Sequence, residues 1–158
     1  MIIKQLVDED FVNYKKPSMF VAFPSCTFKC EKECGQKMCQ NSELALQKNI
    51  EIEPTTIVER YINNPITKAI VFGGLEPFDS WKDVAILINE FRKHTKDTIV
   101  VYTGYYESEI ADDVEYLRQN YDNIIIKFGR FVPNQQKHFD EVLGVELASD
   151  NQYGVKIN

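Results

Sequence analysis

The sequence predicts an α/β fold built on a mostly parallel sheet. Three observations carry that prediction. Apolar runs alternate with amphipathic stretches; the runs are continuously apolar rather than polar at every second residue; and most end at glycine or a turn residue. Strands buried on both faces read this way, and parallel neighbours require a crossover between them, usually a helix. The inner strands are predicted at Met19–Phe23, Lys68–Phe72, Thr98–Thr103 and Asn123–Phe128. Ligands gather at the carboxyl ends of strands in such sheets. The cysteines after the first strand, Gly73-Gly74, Thr103-Gly104 and Gly129-Arg130 are therefore expected on one rim.

Taken in order, residues 2–7 form a short edge strand and Asp8 to Pro17 a loop. After the cysteines, Asn41-Ser42-Glu43 supplies helix-capping chemistry ahead of Leu44-Ala45-Leu46. Pro54 opens a helix carrying Ile57, Val58, Tyr61 and Ile62 at helical spacing. Asn63-Asn64-Pro65 stops it. Ser80 is the expected cap of a helix that buries Trp81, Val84, Leu87, Ile88 and Phe91. Residues 107–119 form a further helix around Ile110, Val114 and Leu117. Residues 133–141 are polar loop, and a short strand is expected within Val142–Leu147.

At 158 residues, 44% hydrophobic and 27% charged, the chain has globular composition and the length of one domain, residues 1–158. Its net charge of −6 and scattered basic residues argue against nucleic-acid or anionic-membrane binding. No apolar run approaches the ~20 residues of a membrane-spanning helix. The first residues lack a basic segment leading into an apolar core, so a cytoplasmic location is expected. His94, at a helix end, and His138, in a polar loop, have no carboxylate partner in the sequence pattern, so neither is expected to be catalytic.

The four cysteines, Cys26, Cys30, Cys34 and Cys39, all lie in one loop directly after the first inner strand. In a reducing compartment such a cluster holds metal or does redox work. Gaps of three, three and four residues fit neither the paired knuckles of structural zinc nor the two-residue spacings of ferredoxins. Both zinc and an iron–sulfur cluster remain open on spacing alone.

Cys26-x-x-x-Cys30, placed just past a buried strand, resembles the opening of the Cys-x3-Cys-x2-Cys motif of radical S-adenosylmethionine enzymes. Position 33 is Glu33, so the third ligand is Cys39 or Cys34. Cys39-Gln40-Asn41 resembles the Cys-Tyr-Asn that closes the motif in one small branch, which favours Cys39. Gly73-Gly74-Leu75-Glu76-Pro77 is similar to the family's Gly-Gly-Glu-Pro with one residue inserted. Tyr102-Thr103-Gly104-Tyr105, Gly129-Arg130-Phe131 and Ser149-Asp150-Asn151-Gln152 resemble landmarks of the activating enzymes of anaerobic ribonucleotide reductases. Phe128 stands where that branch has Asp.

The resemblance implies a partial (open) β/α barrel with about five parallel strands. It implies a [4Fe–4S] cluster on Cys26, Cys30 and Cys39, with S-adenosylmethionine on the open iron. Met38, Asn41, Gly73, Gly74, Glu76, Thr103, Gly104 and Arg130 would bind S-adenosylmethionine, and no catalytic side chain is implied beyond the cluster. The activity implied is generation of a glycyl radical on anaerobic ribonucleotide reductase, with flavodoxin or ferredoxin as electron donor. The alternatives are radical chemistry on another protein or peptide, or a non-catalytic zinc module that uses all four cysteines.

Overall fold

The computed structural model describes residues 1–35 and 41–158. Strands β1 (Ile2–Ile3), β2 (Gln5–Asp10) and β3 (Ser18–Phe23) come first. The cysteine segment contains the short helix α1 (Lys29–Cys34), and α2 (Ser42–Leu46) and β4 (Ile50–Glu51) follow. Helix and strand then alternate: α3 (Pro54–Ile62), β5 (Ala69–Gly74), α4 (Trp81–Arg92), β6 (Thr98–Tyr102), α5 (Ala111–Asn120) and β7 (Ile124–Phe128). Last come β8 (His138–Asp140), β9 (Val145–Leu147) and β10 (Tyr153–Lys156).

The main sheet has the order β10-β7-β6-β5-β3-β2. Its four inner strands are parallel and each edge strand is antiparallel to its neighbour. The α/β class and the mostly parallel sheet are as expected. The parallel strands number four rather than five, and among the described residues the sheet is open at β2 and β10, with no barrel closure. From β3 to β7 every crossover steps the same way across the sheet. Right-handed connections then place α3, α4 and α5 on one face.

The packing agrees. Met19, Val21, Phe23, Ile70, Phe72, Val101, Ile126 and Phe128 share a core with Ile57, Tyr61, Val84, Leu87, Phe91 and Leu117 of the helices. The alternate residues Ala69, Val71, Val100 and Ile125 face the other way. Among the described residues α3, α4 and α5 leave that face helix-free; Tyr14, Leu143 and Leu147 from the flanking segments cover part of it, and α1 borders its edge through Lys29. Continuous apolar strands result, because both faces of each inner strand leave water. The uncovered remainder is where the candidate site lies.

Several local expectations change. Residues 8–10 continue β2, because pairing with β3 outweighs the weak strand propensity of Asp-Glu-Asp. Ser80 is the N-cap residue of α4 as expected, but its side chain makes no cap hydrogen bond; a 3₁₀ turn over Pro77–Ser80 precedes the helix, and there the Glu76 carboxylate accepts from the Phe78 amide. Asn41 is the N-cap residue of α2, but its side chain makes no cap hydrogen bond; its side-chain amide donates to the Gly74 carbonyl. His138 lies in β8, which pairs with β9 as a hairpin. Among the described residues, no helix is long and apolar enough to cross a membrane.

At the amino ends of β6 and β7, Arg92 joins two loops. Its guanidinium donates to the carbonyls of Thr95 and Asp97 (3.3 and 2.9 Å) and of Asp122 and Asn123 (2.8 and 3.3 Å). Arg92→Ala is expected to cost about 2 kcal/mol in urea unfolding of the metal-free protein. Arg92→Lys should recover little of that, since a single ammonium cannot span both pairs of carbonyls.

Candidate functional site

Where β3, β5, β6 and β7 end, a cavity of ≈ 250 Å³ opens on the helix-free face. Strand alternation selects its floor: Phe20, Gly73, Tyr102 and Lys127 point to this face, and Tyr102 is paired with Lys127 across β6 and β7. The loops after the four strands form its walls, contributing Cys26, Glu76, Thr103, Gly104 and Arg130 among others.

Two glycines make the close approach of β5 to β3 feasible. A Cβ at Gly73 would lie 2.9 Å from the Phe20 ring. Gly74 has φ +90°, and a Cβ there would meet the Ala22 Cβ at 2.6 Å. Only glycine tolerates that conformation and spacing together.

The loop continues the strand pairing toward the cysteines. The Leu75 amide donates to the Phe23 carbonyl (3.2 Å) and the Glu76 amide to the Ser25 carbonyl (2.8 Å). The Glu76 carboxylate, 6% exposed, turns inward. Oε1 accepts from the Phe78 amide (3.1 Å) and Thr103 Oγ1 (2.8 Å), and Oε2 from the Gly104 amide (2.8 Å). Burial pushes its pKa up to about 7 against the pull of those donors.

Lys127 is also buried, and its ammonium donates to the Gly129 carbonyl at 2.9 Å. A lysine within the run Ile-Ile-Ile-Lys-Phe of an inner strand was a legible signal, because charge is expensive at such a position. Arg130 has its guanidinium engaged by Glu109, by Glu33 at 3.1 Å and by the ring of Tyr106. That pairing holds Glu109 down at about 2.

Of the residues singled out in the sequence, Cys26, Asn41, Gly73, Gly74, Glu76, Thr103, Gly104 and Arg130 all line the cavity. Cys30 falls within α1, and Cys34 ends α1, half-buried and not among the lining residues. Met38 and Cys39 lie outside the described residues. Among the described residues no three His, Cys, Asp or Glu side chains converge as a metal site. The sulfur environment nonetheless suits a thiolate ligand: Cys26 Sγ accepts from the Phe28 amide at 3.2 Å. Glu76 is buried, and protein donors engage both of its carboxylate oxygens. Sequence reasoning passed over Lys127, Tyr105 and Asp79 as site residues; Asp79 and Tyr105 are joined by a 2.6 Å hydrogen bond at the cavity edge.

A family model described as "4Fe-4S single cluster domain" matches residues 16–152. No curated protein and no solved structure matches the chain.

The raised pKa of Glu76 makes stability depend on pH. Its folded value, about 7, exceeds the ordinary 4.5, so the native state holds the proton more tightly than the unfolded chain. Its contribution is full below pH ~4.5 and is lost as pH rises through ~7, amounting to roughly 3 kcal/mol. Urea unfolding of the metal-free protein should show this decline between pH 5 and 8, and Glu76→Gln should flatten it.

Proposed function

The chain belongs to the 4Fe-4S single cluster domain family, and from that premise we propose that it is a radical S-adenosylmethionine activase for anaerobic ribonucleotide reductase. One observation carries the proposal. Cys26 shares a single cavity with the glycine-ended strand Gly73-Gly74, with Thr103-Gly104 and with Arg130, each contributed by a different strand end. On this reading the open sheet, wound in one direction with one helix-free face, is a partial β/α barrel whose hollow is the cavity.

Cys26, Cys30 and Cys39 would hold the cluster, leaving one iron for S-adenosylmethionine. When reduced, that pair supplies a one-electron cleavage of a carbon–sulfur bond and so a radical able to abstract hydrogen. The chain's own residues bind and shield. The Gly73-Gly74 backbone, bare of side chains, lets a ligand's amino group approach the strand end. Lys127 brings a buried positive charge to the floor, where it favours an anionic group on the ligand. Phe20, Tyr102 and Phe131 line the cavity with rings that exclude water. The cavity mouth receives the glycine-bearing loop of the reductase, and flavodoxin or ferredoxin supplies the electron.

Phe128, at the position of the branch's Asp, is fully buried on the helix side and packs against Tyr153. It is not among the cavity-lining residues, so that departure leaves the cavity lining untouched.

Purified anaerobically, the protein should be brown. With dithionite, S-adenosylmethionine and the reductase it should give a glycyl-radical EPR doublet and methionine. Cys26→Ala should abolish the cluster, while Cys34→Ala should keep it. A colourless zinc protein, or an intact cluster that leaves S-adenosylmethionine uncleaved, would overturn the assignment.

A further inference from the structure

The turn that carries Cys26 is gripped from two other loops. The Thr27 amide donates to Asp79 Oδ2 at 2.9 Å, and the Tyr105 hydroxyl donates to Asp79 Oδ1 at 2.6 Å. Asp79 sits in the 3₁₀ turn after β5, and Tyr105 in the loop after β6. The Tyr105 ring also lies under the Lys29 ammonium, 4.5 Å from its centroid, so Tyr105 meets the turn directly at Lys29 and through Asp79 at Thr27.

What the grip holds is unusual. Phe28 has φ 54° and ψ 39°, the left-handed region that bulky residues seldom adopt. In that conformation its amide reaches back to Cys26 Sγ at 3.2 Å. An amide donated to a cluster sulfur stabilises the more negative, reduced state and raises the reduction potential. A left-handed phenylalanine persists only where its surroundings enforce it.

We infer that Asp79 and Tyr105 are positioning residues for Cys26, a clamp that keeps the Phe28 amide on the ligand sulfur and thereby tunes the cluster. The inference rests on Cys26 being a cluster ligand, and on neither the S-adenosylmethionine chemistry nor the identity of the partner.

The test compares two neutral variants of the full chain. Asp79→Asn retains an acceptor for the Thr27 amide and offers a donor to the Tyr105 oxygen, whereas Asp79→Ala retains neither. Any effect of the lost charge is common to both, so their difference reports the clamp. The midpoint potential of the cluster, from an EPR-monitored titration, should be lower in Asp79→Ala than in Asp79→Asn. Iron retention against a chelator should weaken about tenfold or more in the alanine variant alone. Equal potentials and equal retention would overturn the clamp.

If Asp79→Ala does not assemble, Tyr105→Phe decides the matter in the metal-free protein. The Thr27 amide should exchange faster with deuterium there than in the parent; unchanged exchange would overturn the clamp equally. A parent that keeps its cluster yet leaves S-adenosylmethionine intact would end the activase proposal and leave this inference standing.

Discussion

The Glu76 carboxylate accepts from the Phe78 amide, the Thr103 hydroxyl and the Gly104 amide, and so joins the loop after β5 to the loop after β6. A buried carboxylate with fewer partners would cost several kcal/mol, so this arrangement is close to all-or-none. Its backbone extends the dependence further, because the Glu76 amide donates to the Ser25 carbonyl, one residue before Cys26. Three strand ends are therefore referenced to one residue. Their relative placement decides whether Cys26, Gly74 and Gly104 share a cavity at all.

Much of the fold was legible because parallel strands buried on both faces leave a strong mark. The runs ending at Phe23, Phe72, Thr103 and Phe128 became β3, β5, β6 and β7, neighbours in that order. What escaped was decided by tertiary pairing rather than local preference. Strand β10 reads Tyr-Gly-Val-Lys, a weak strand signal, yet it pairs with β7 across four residues. The Asp8–Asp10 end of β2 is held by its partner, not by its composition. In the site, glycine-ended strands announced the rim, but the burial of Glu76 was invisible. A loop carboxylate reads the same whether it faces water or three donors.

The helix-free face explains why charge gathers where it does. Helices α3, α4 and α5 cover the opposite face with apolar side chains. Lys127, Glu76 and Arg130 all lie on the cavity side, each buried and each partnered. Arg130 couples the cavity to the cysteine segment from a third direction, since Glu33 belongs to α1 and Glu109 to the turn before α5. With its guanidinium committed to these partners, Arg130 shapes the cavity wall.

The inserted Leu75 takes on a structural meaning in this light. One extra residue between Gly74 and Glu76 adds an amide, and that amide donates to the Phe23 carbonyl, prolonging the β3–β5 pairing past its last ladder pair, Phe23 with Gly74. The next contacts follow in step: Glu76 meets Ser25 and Asp79 meets Thr27. The loop after β5 thus runs alongside the start of the cysteine segment. Holding the first residues of that segment in this way lowers the entropy cost of closing the rest of it. The loop after β5 therefore fixes the chain from Phe23 to Thr27, and with it the backbone on either side of Cys26.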